Sequence, residues 1–367
     1  MKSDDSMSSV EIEPSVFLTN LPGIVGFYPK GHAIITAFFD VDCVEAFAAA
    51  GAPFPTDYVG PMMIKDLAEL EDSPEAISAA ADFLIEEGCT RADVYIIDES
   101  WGYVRTTSPI VDGLLEGGLE EVHLAGVSNI APGEVVTDGD GNIVGIVGDS
   151  LLTPSAKNLH ASGGKIFDTY EEYRHCFERG QYENAEDERR FADFQLKATN
   201  TILPRPFRIG THNAQLIKYF QDLVDIANSV ASGELDVRTA LRDDRAGYVI
   251  AASLTNVTLR DMSMMLISSP LQDAISSIWL SSAAVYTGEV RANALSCYAI
   301  SQFARGIDAY GQTALNEAAK EVPEHSLTQL LDIAVANKIV NRCVGTILNA
   351  AHEVIRRVYG AKNAPPR

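Results

Sequence analysis

The stretch that decides the fold is Leu21–Asp40, which reads LPGIVGFYPKGHAIITAFFD. Proline and glycine break its first half, whereas His32–Asp40 is rich in β-branched and aromatic residues, as buried strands are. A short helical segment over Pro14–Val25 precedes this strand and ends at Gly23 or Gly26. The stretch contains no catalytic or binding motif, so it predicts where a sheet begins and does not indicate a function.

Strands and helices alternate after this first strand. Two later runs flank Gly139-Asp140-Gly141, and Asp-Gly turns of this kind join antiparallel strands into a hairpin. The alternation predicts an α/β domain with a mixed sheet over residues 14–180. The predicted elements are a helix from Pro74 to Gly88 capped by Ser73, a strand at Ala92–Asp98, a helix at Ser108–Gly117, strands at Glu121–Val127, Glu134–Asp138 and Asn142–Val147, a short strand at Lys165–Asp168, and a helix opened by Thr169.

The rest of the chain has helical periodicity. We expect a disordered acidic tail over 1–13, a charged, proline-punctuated linker over 181–208, an all-α domain over 209–359 and a tail over 360–367. Ala318 and Pro323 have the spacing that ends a tetratricopeptide-type helix pair, so the second domain is predicted to be tetratricopeptide-like, with a concave face suited to a protein partner.

The last predicted helix carries a heptad-like apolar seam, which could join two chains into a homodimer or pack on its own domain. The seam consists of Val340, Val344, Ile347, Ala351, Val354 and Val358.

Charge excludes some classes of function. The chain has 28 Lys and Arg against 51 Asp and Glu, a net charge of −23, which argues against nucleic acid as a partner. Its apolar runs are too short to span a membrane, and its five cysteines are scattered without a disulfide framework. We therefore expect a soluble, cytoplasmic protein.

Four residues are candidates for catalysis. Gly148-Asp149-Ser150-Leu151 follows a strand and matches the nucleophile block of GDSL-type esterases, in which backbone N–H groups near the serine form an oxyanion hole. The block lies in mid-chain and no DxxH triplet follows it, so a capped turn is the other interpretation. Asp98 and Glu99 follow a different strand, at the position where open α/β sheets place ligands, and a solvated loop is the other interpretation. The candidate set is Asp98, Glu99, Asp149 and Ser150.

The sequence predicts no metal and no cofactor. The seven histidines lack HxxxH spacing, and GxGxxG and GxxxxGK[ST] phosphate loops are missing. Asp138–Asn142 imitates the start of an EF-hand loop, but the glycine and glutamate positions of that loop hold Ile143 and Asp149.

Several segments together resemble an actinobacterial and actinophage family known as domain of unknown function 4192. They are Gly26-Phe27-Tyr28-Pro29 with the strand after it, Val94–Glu99, Ser155–Glu178, Leu259-Arg260-Asp261 and Gly306–Leu331. The chain departs from the family at Tyr28, where histidine is usual, and in an insertion over 181–205. The resemblance assigns no function, so no functional residue is carried over.

Two classes of function remain. The first is a non-catalytic interaction or regulatory protein that binds a partner through the helical domain. The second is a hydrolase with its site at the strand ends around Asp98, Glu99, Asp149 and Ser150.

Overall fold

The computed structural model describes residues 13–39, 59–102, 109–180, 182–201 and 211–360. These residues form two compact units. The α/β unit comprises the described residues of Met1–Ala161 and Lys165–Tyr170, and the helical unit those of Ser162–Gly164 and Glu171–Arg367. The predicted tails, 1–13 and 360–367, lie outside the described residues except for Glu13 and Gly360.

The α/β unit contains a six-stranded sheet in the order β2-β1-β3-β4-β5-β6. Only β3 and β4 are parallel; the other neighbouring pairs are antiparallel, which confirms the predicted mixed sheet. The edge strand β2 was not predicted, and the strand expected at Lys165–Asp168 is a single bridge between Phe27 and Phe167. The strands are β1 His32–Phe39, β2 Val59–Asp66, β3 Cys89–Ile97, β4 Glu121–Val127, β5 Val135–Asp138 and β6 Ile143–Ile146.

Helices cover both faces of this sheet. The helices of the α/β unit are α1 Pro14–Val25, α2 Leu67–Asp72, α3 Pro74–Glu86, α4 Pro109–Glu116 and α5 Pro154–Ala161; α6 Tyr170–His175 begins at the unit boundary, and its residues from Glu171 onward belong to the helical unit. One face packs against α2, α3 and α4 in a continuous apolar core that includes Ile35, Val94 and Ile110. On the other face the Phe17 ring of α1 stacks on Tyr95 of β3, with ring centroids 4.4 Å apart.

The predicted ends of two helices are confirmed. The Ser73 hydroxyl accepts a hydrogen bond from the Ala76 N–H at 3.2 Å, and Pro74 occupies the first turn of α3. Gly26 ends α1 in the left-handed conformation, with φ of 86°. Since that conformation strains other residues, this glycine fixes where α1 stops and the turn toward β1 starts.

The second unit is helical throughout its described residues, as predicted; tetratricopeptide-like stacking stays a prediction. Residues 185–200, inside the predicted linker, form α7, which packs on α10. Every residue of α13 from Val290 to Phe303 is buried. The helices are α7 Ala185–Asn200, α8 Thr211–Ala231, α9 Val237–Arg242, α10 Asp244–Thr255, α11 Val257–Ser263, α12 Gln272–Val285, α13 Gly288–Phe303, α14 Asp308–Glu321, α15 Ser326–Ala336 and α16 Val340–Tyr359.

The predicted dimer seam lies on α16. Val344, Ala351 and Val358 are buried within the chain itself, whereas Val340, Ile347 and Val354 are half-buried. No helix among the described residues is long and apolar enough to cross a membrane.

Candidate functional site

The turn over residues 26–31 lies at the end of β3. The Gly31 N–H donates to the Ile97 carbonyl at 2.7 Å, and the Tyr28 N–H donates to the Phe167 carbonyl at 3.0 Å. The turn therefore crosses the sheet edge at which β3 and β4 end, where open α/β sheets usually bind ligands. The stretch that begins the sheet thus also shapes this edge.

Asp98 and Glu99 stand beside the turn. The Asp98 carboxylate accepts hydrogen bonds from the backbone N–H and the hydroxyl of Ser100, at 2.8 and 2.5 Å. The Glu99 carboxylate pairs with the Lys30 ammonium at 2.7 Å, and both side chains are well exposed. Asp98 therefore closes a local turn, and Glu99 forms a solvent-exposed ion pair that contributes little to stability.

Asp149 and Ser150 reach the same turn from another direction. The Asp149 carboxylate accepts a hydrogen bond from the Leu151 N–H at 3.0 Å and caps a 3₁₀ turn over Ser150–Leu152. The Ser150 side chain is 3% exposed, and its hydroxyl has no hydrogen-bond partner of good geometry among the described residues. The block therefore forms a capped turn, and the same turn buries the Ser150 hydroxyl.

Tyr28 connects Ser150 to two carboxylates. Burial, followed by the negative charges of Asp149 and Asp168, raises the pKa of the Tyr28 phenol, and the nearby Ser150 hydroxyl partly lowers that pKa. The phenol therefore stays protonated and can donate a hydrogen bond. Sequence patterns could not show this contact, because Tyr28 and Ser150 lie far apart in the chain.

The four predicted residues are thus brought to one turn as two separate pairs. Lys30 contacts Glu99, and Tyr28 lies beside Asp149 and Ser150. Within the described residues, no hydrogen bond or ion pair joins one pair to the other. No hydrogen bond joins the Ser150 hydroxyl to a histidine that could act as its general base among the described residues.

His32 is a packed residue. Its side chain is 6% exposed, and its Nδ1 lies 2.7 Å from the Lys30 carbonyl oxygen. Because a carbonyl only accepts, that nitrogen carries the proton. The ring also packs against the rings of Phe27 and Tyr170.

Sequence reasoning missed a polar cluster on β1, β3 and β4. Register places Thr36, Asp93 and His123 side by side across the three strands. The His123 Nδ1 lies 3.3 Å from the Asp93 carboxylate, and the Tyr95 hydroxyl donates to that carboxylate at 3.2 Å. Burial raises the pKa of Asp93, against the lowering effect of Arg91 and His123. The sequence does contain a signal for this cluster: the polar residues Arg91, Asp93 and Tyr95 alternate along β3.

The helical unit has an exposed apolar stripe. Leu330, Ile333 and Ile339 are 48%, 61% and 41% exposed. Leu330 and Ile333 are three residues apart, so they are neighbours on the outer side of α15. Ile339 follows in the turn before α16, and exposed Lys338 and Arg342 flank it. We call Leu330, Ile333 and Ile339 the α15 stripe.

A buried chain of hydrogen bonds supports the start of α15. The His325 Nδ1 accepts from the Thr328 N–H, while Nε2 lies 3.1 Å from the side-chain oxygen Oδ1 of Asn293. The same Asn293 oxygen accepts from Arg260 at 2.8 Å. Burial and the Arg260 charge lower the pKa of His325, so the imidazole is held neutral with its proton on Nε2.

Metal ligands do not cluster in the described parts of the chain: no three His, Cys, Asp or Glu side chains are grouped suitably for an ion. Cys297 and Cys343 are free thiols, and Cys43 lies outside the described residues.

Comparison with known proteins identifies the family. The model of a domain of unknown function, DUF4192, matches residues 14–340, which is most of the chain, so the chain belongs to this family. No curated protein and no solved structure matches the chain.

Proposed function

We propose that this DUF4192 member is a non-catalytic protein that binds another protein through its helical unit. The observation that carries the proposal is the α15 stripe. Large apolar side chains at adjacent exposed positions, rimmed by polar groups, are typical of protein-binding surfaces. The partner surface that fits is an apolar helix face flanked by acidic residues, because Lys338 and Arg342 lie beside the stripe.

The placement of the candidate catalytic residues is consistent with this proposal. Asp98 and Asp149 accept local backbone hydrogen bonds, and Glu99 pairs with Lys30. Carboxylates used in this way hold turns together. A binding protein needs no further role for them.

Cellular location belongs to the same proposal. The scattered cysteines and the strongly acidic composition favour the cytoplasm, and the family resemblance favours an actinobacterial cell or its phage. A partner should therefore be sought in such an extract.

The test is affinity capture with the full chain. We would compare the wild type with the double variant Leu330→Glu/Ile333→Glu, and use Leu196→Glu as the matched control. Leu196 is 61% exposed on α7, so its replacement introduces a glutamate away from the stripe, one where the double variant introduces two. We expect one partner to be retained by the wild type and the control and lost from the double variant. Capture that is equal for all three would refute the proposed surface.

Hydrolysis is the second candidate, and one observation favours it. The Tyr28 phenol, the buried Ser150 hydroxyl and the Asp149 carboxylate lie together at the strand-end edge. In such a site the phenol would donate a hydrogen bond to developing negative charge on the substrate.

Ester and nucleotide hydrolysis screens with the wild type, Ser150→Ala, Asp98→Asn and Tyr28→Phe test this reading. Hydrolysis that falls in Ser150→Ala and Tyr28→Phe would support it. Background rates for all four proteins would end it.

A further inference from the structure

The β5–β6 hairpin exposes apolar side chains on one face of the sheet. Val135, Ile143 and Ile146 are 45%, 71% and 61% exposed. Register pairs Val135 with Ile146 and Thr137 with Ile143, so these side chains share a face. The Trp101 indole N–H donates to the Thr137 hydroxyl at 2.9 Å on the same face.

Elsewhere this face is covered. Trp101 and Leu124 pack against the apolar core that α2, α3 and α4 form with β1 and β3. The apolar surface thus continues from that core, across Trp101, to the exposed side chains of the hairpin. We call Val135, Ile143 and Ile146 the hairpin face.

Among the described residues, no strand pairs with the outer edge of β6. This strand lies at the end of the sheet order. On its inner side the Val147 N–H donates to the Glu134 carbonyl, and the Gly133 N–H donates to the Val147 carbonyl, both at 2.9 Å. Antiparallel strands alternate in direction, so the neighbouring Ile146 directs its N–H and C=O away from β5. Exposed edges of this kind accept an added strand.

The hairpin lies in a part of the sequence that carries only acidic charges. Residues 106–156 contain no Lys or Arg and eight Asp or Glu. Glu134, Asp138 and Asp140 belong to the hairpin itself. Such a surface repels acidic segments and attracts basic ones.

We propose that the hairpin binds an extended, basic and apolar peptide segment of another protein by adding it as a strand to β6. Backbone hydrogen bonds at Ile146 supply pairing. Apolar side chains of the added segment cover the hairpin face, and its Lys or Arg residues pair with the surrounding carboxylates. This surface belongs to the α/β unit, so it is independent of the α15 stripe.

Fluorescence anisotropy with the full chain tests the proposal. The probe is a fluorescein-labelled peptide of sequence KVKVKVKV. One comparison peptide, KVKPKVKV, has the same charge, but its proline cannot continue a ladder of backbone hydrogen bonds. The other, EVEVEVEV, keeps the strand pattern and reverses the charge.

Three variants locate the binding. Ile146→Pro removes an N–H that points away from β5, and Ile143→Lys/Ile146→Lys removes the apolar cover. Ile24→Lys is the control for an added lysine elsewhere on the same unit, one where the double variant adds two, because Ile24 is an exposed residue on α1. We expect the wild type and Ile24→Lys to bind KVKVKVKV at least about tenfold more tightly than either comparison peptide. Ile146→Pro and the double variant should each lose about tenfold in affinity.

Two results would overturn the proposal. Equal affinity for KVKVKVKV and KVKPKVKV would show attraction by charge alone. Self-association of the chain that Ile146→Pro abolishes would assign the edge to a second copy. Because the α15 stripe is untouched in these variants, neither result bears on the proposed function of the helical unit.

Discussion

Replacing Arg291 with methionine should destabilise the helical unit strongly. Arg291 lies on the buried helix α13 and is 3% exposed. Its guanidinium donates to the Ala283 carbonyl at 2.9 Å and to the Phe177 carbonyl at 2.7 Å, and it pairs with Glu321 at 3.4 Å. Methionine preserves much of the apolar stem and removes the donors, so the three oxygens lose their charged partner.

The expected magnitude follows from these contacts. Hydrogen bonds to a charged group contribute about 1.5–3 kcal/mol each, and removing one partner of a buried ion pair costs about 3–5 kcal/mol. We therefore expect Arg291→Met to lower the free energy of unfolding by about 3–5 kcal/mol. For a unit of this size that corresponds to a decrease in Tm of roughly 6–20 °C. Arg291→Lys should lose less, because an ammonium keeps the charge without the planar set of donors.

The two tryptophans allow the units to be followed separately. Trp279 lies on α12 in the helical unit and is 1% exposed, and Trp101 lies in the α/β unit. In a Trp101→Phe background, urea unfolding followed by fluorescence reports the environment of Trp279 alone. A loss below about 1 kcal/mol, the contribution of one neutral hydrogen bond, would refute this account of Arg291.

Three further predictions concern other positions. The lowered pKa of His325 means that the folded unit binds fewer protons than the unfolded chain, so its stability should fall as pH drops below about 6.5. His325→Asn, which can still cap α15, should remove that dependence in Trp279-monitored unfolding above about pH 5; an unchanged slope would contradict the assignment. Gly23→Ala should lower the free energy of unfolding by about 1–3 kcal/mol, measured by calorimetry, because the added methyl would lie 2.3 Å from the Ala156 nitrogen. Gly345 lies at an open position on a helix, so Gly345→Ala should be neutral or stabilising. If half-buried Val354 joins two chains, sedimentation should show a dimer at micromolar concentration that Val354→Glu dissociates, whereas a wild-type monomer would remove the dimer prediction.

Local patterns predicted much of the fold. The Ser73–Pro74 start of α3, the Asp-Gly hairpin and the β-branched run of β1 each depend on neighbouring residues, and each is present. The strand β2 was missed because its sequence, VGPMMIKD, contains Gly-Pro and no alternation. Pro61 is compatible with an edge strand, where a missing N–H costs little.

A charge-rich helix was mistaken for a linker for a different reason. The α7 sequence contains many charged residues, but Phe191, Phe194 and Ala198 recur at helical spacing and are buried. Asn184 also caps the helix: its side-chain amide oxygen accepts hydrogen bonds from the N–H groups of Glu186 and Asp187. Weighting periodicity above composition would have found this helix.

The candidate site was predictable only in its parts. The positions of Asp98 and Ser150 after strands could be deduced from the sequence. Their relation to Lys30 and Tyr28 depends on how the turn crosses the sheet edge, and no pattern in one segment encodes that path. The Asp93 cluster likewise requires the register of three strands, which the sequence of one strand does not determine.

The burial of every α13 residue from Val290 to Phe303 has a consequence for how members of this family diverge. This part of the helix has no outward face, so every substitution there meets a neighbour, and we expect its sequence to drift slowly. The outer side of α15 is under no such constraint, because Leu330 and Ile333 are exposed there. Lineages can therefore alter what this side recognises while the helices beneath it keep their arrangement.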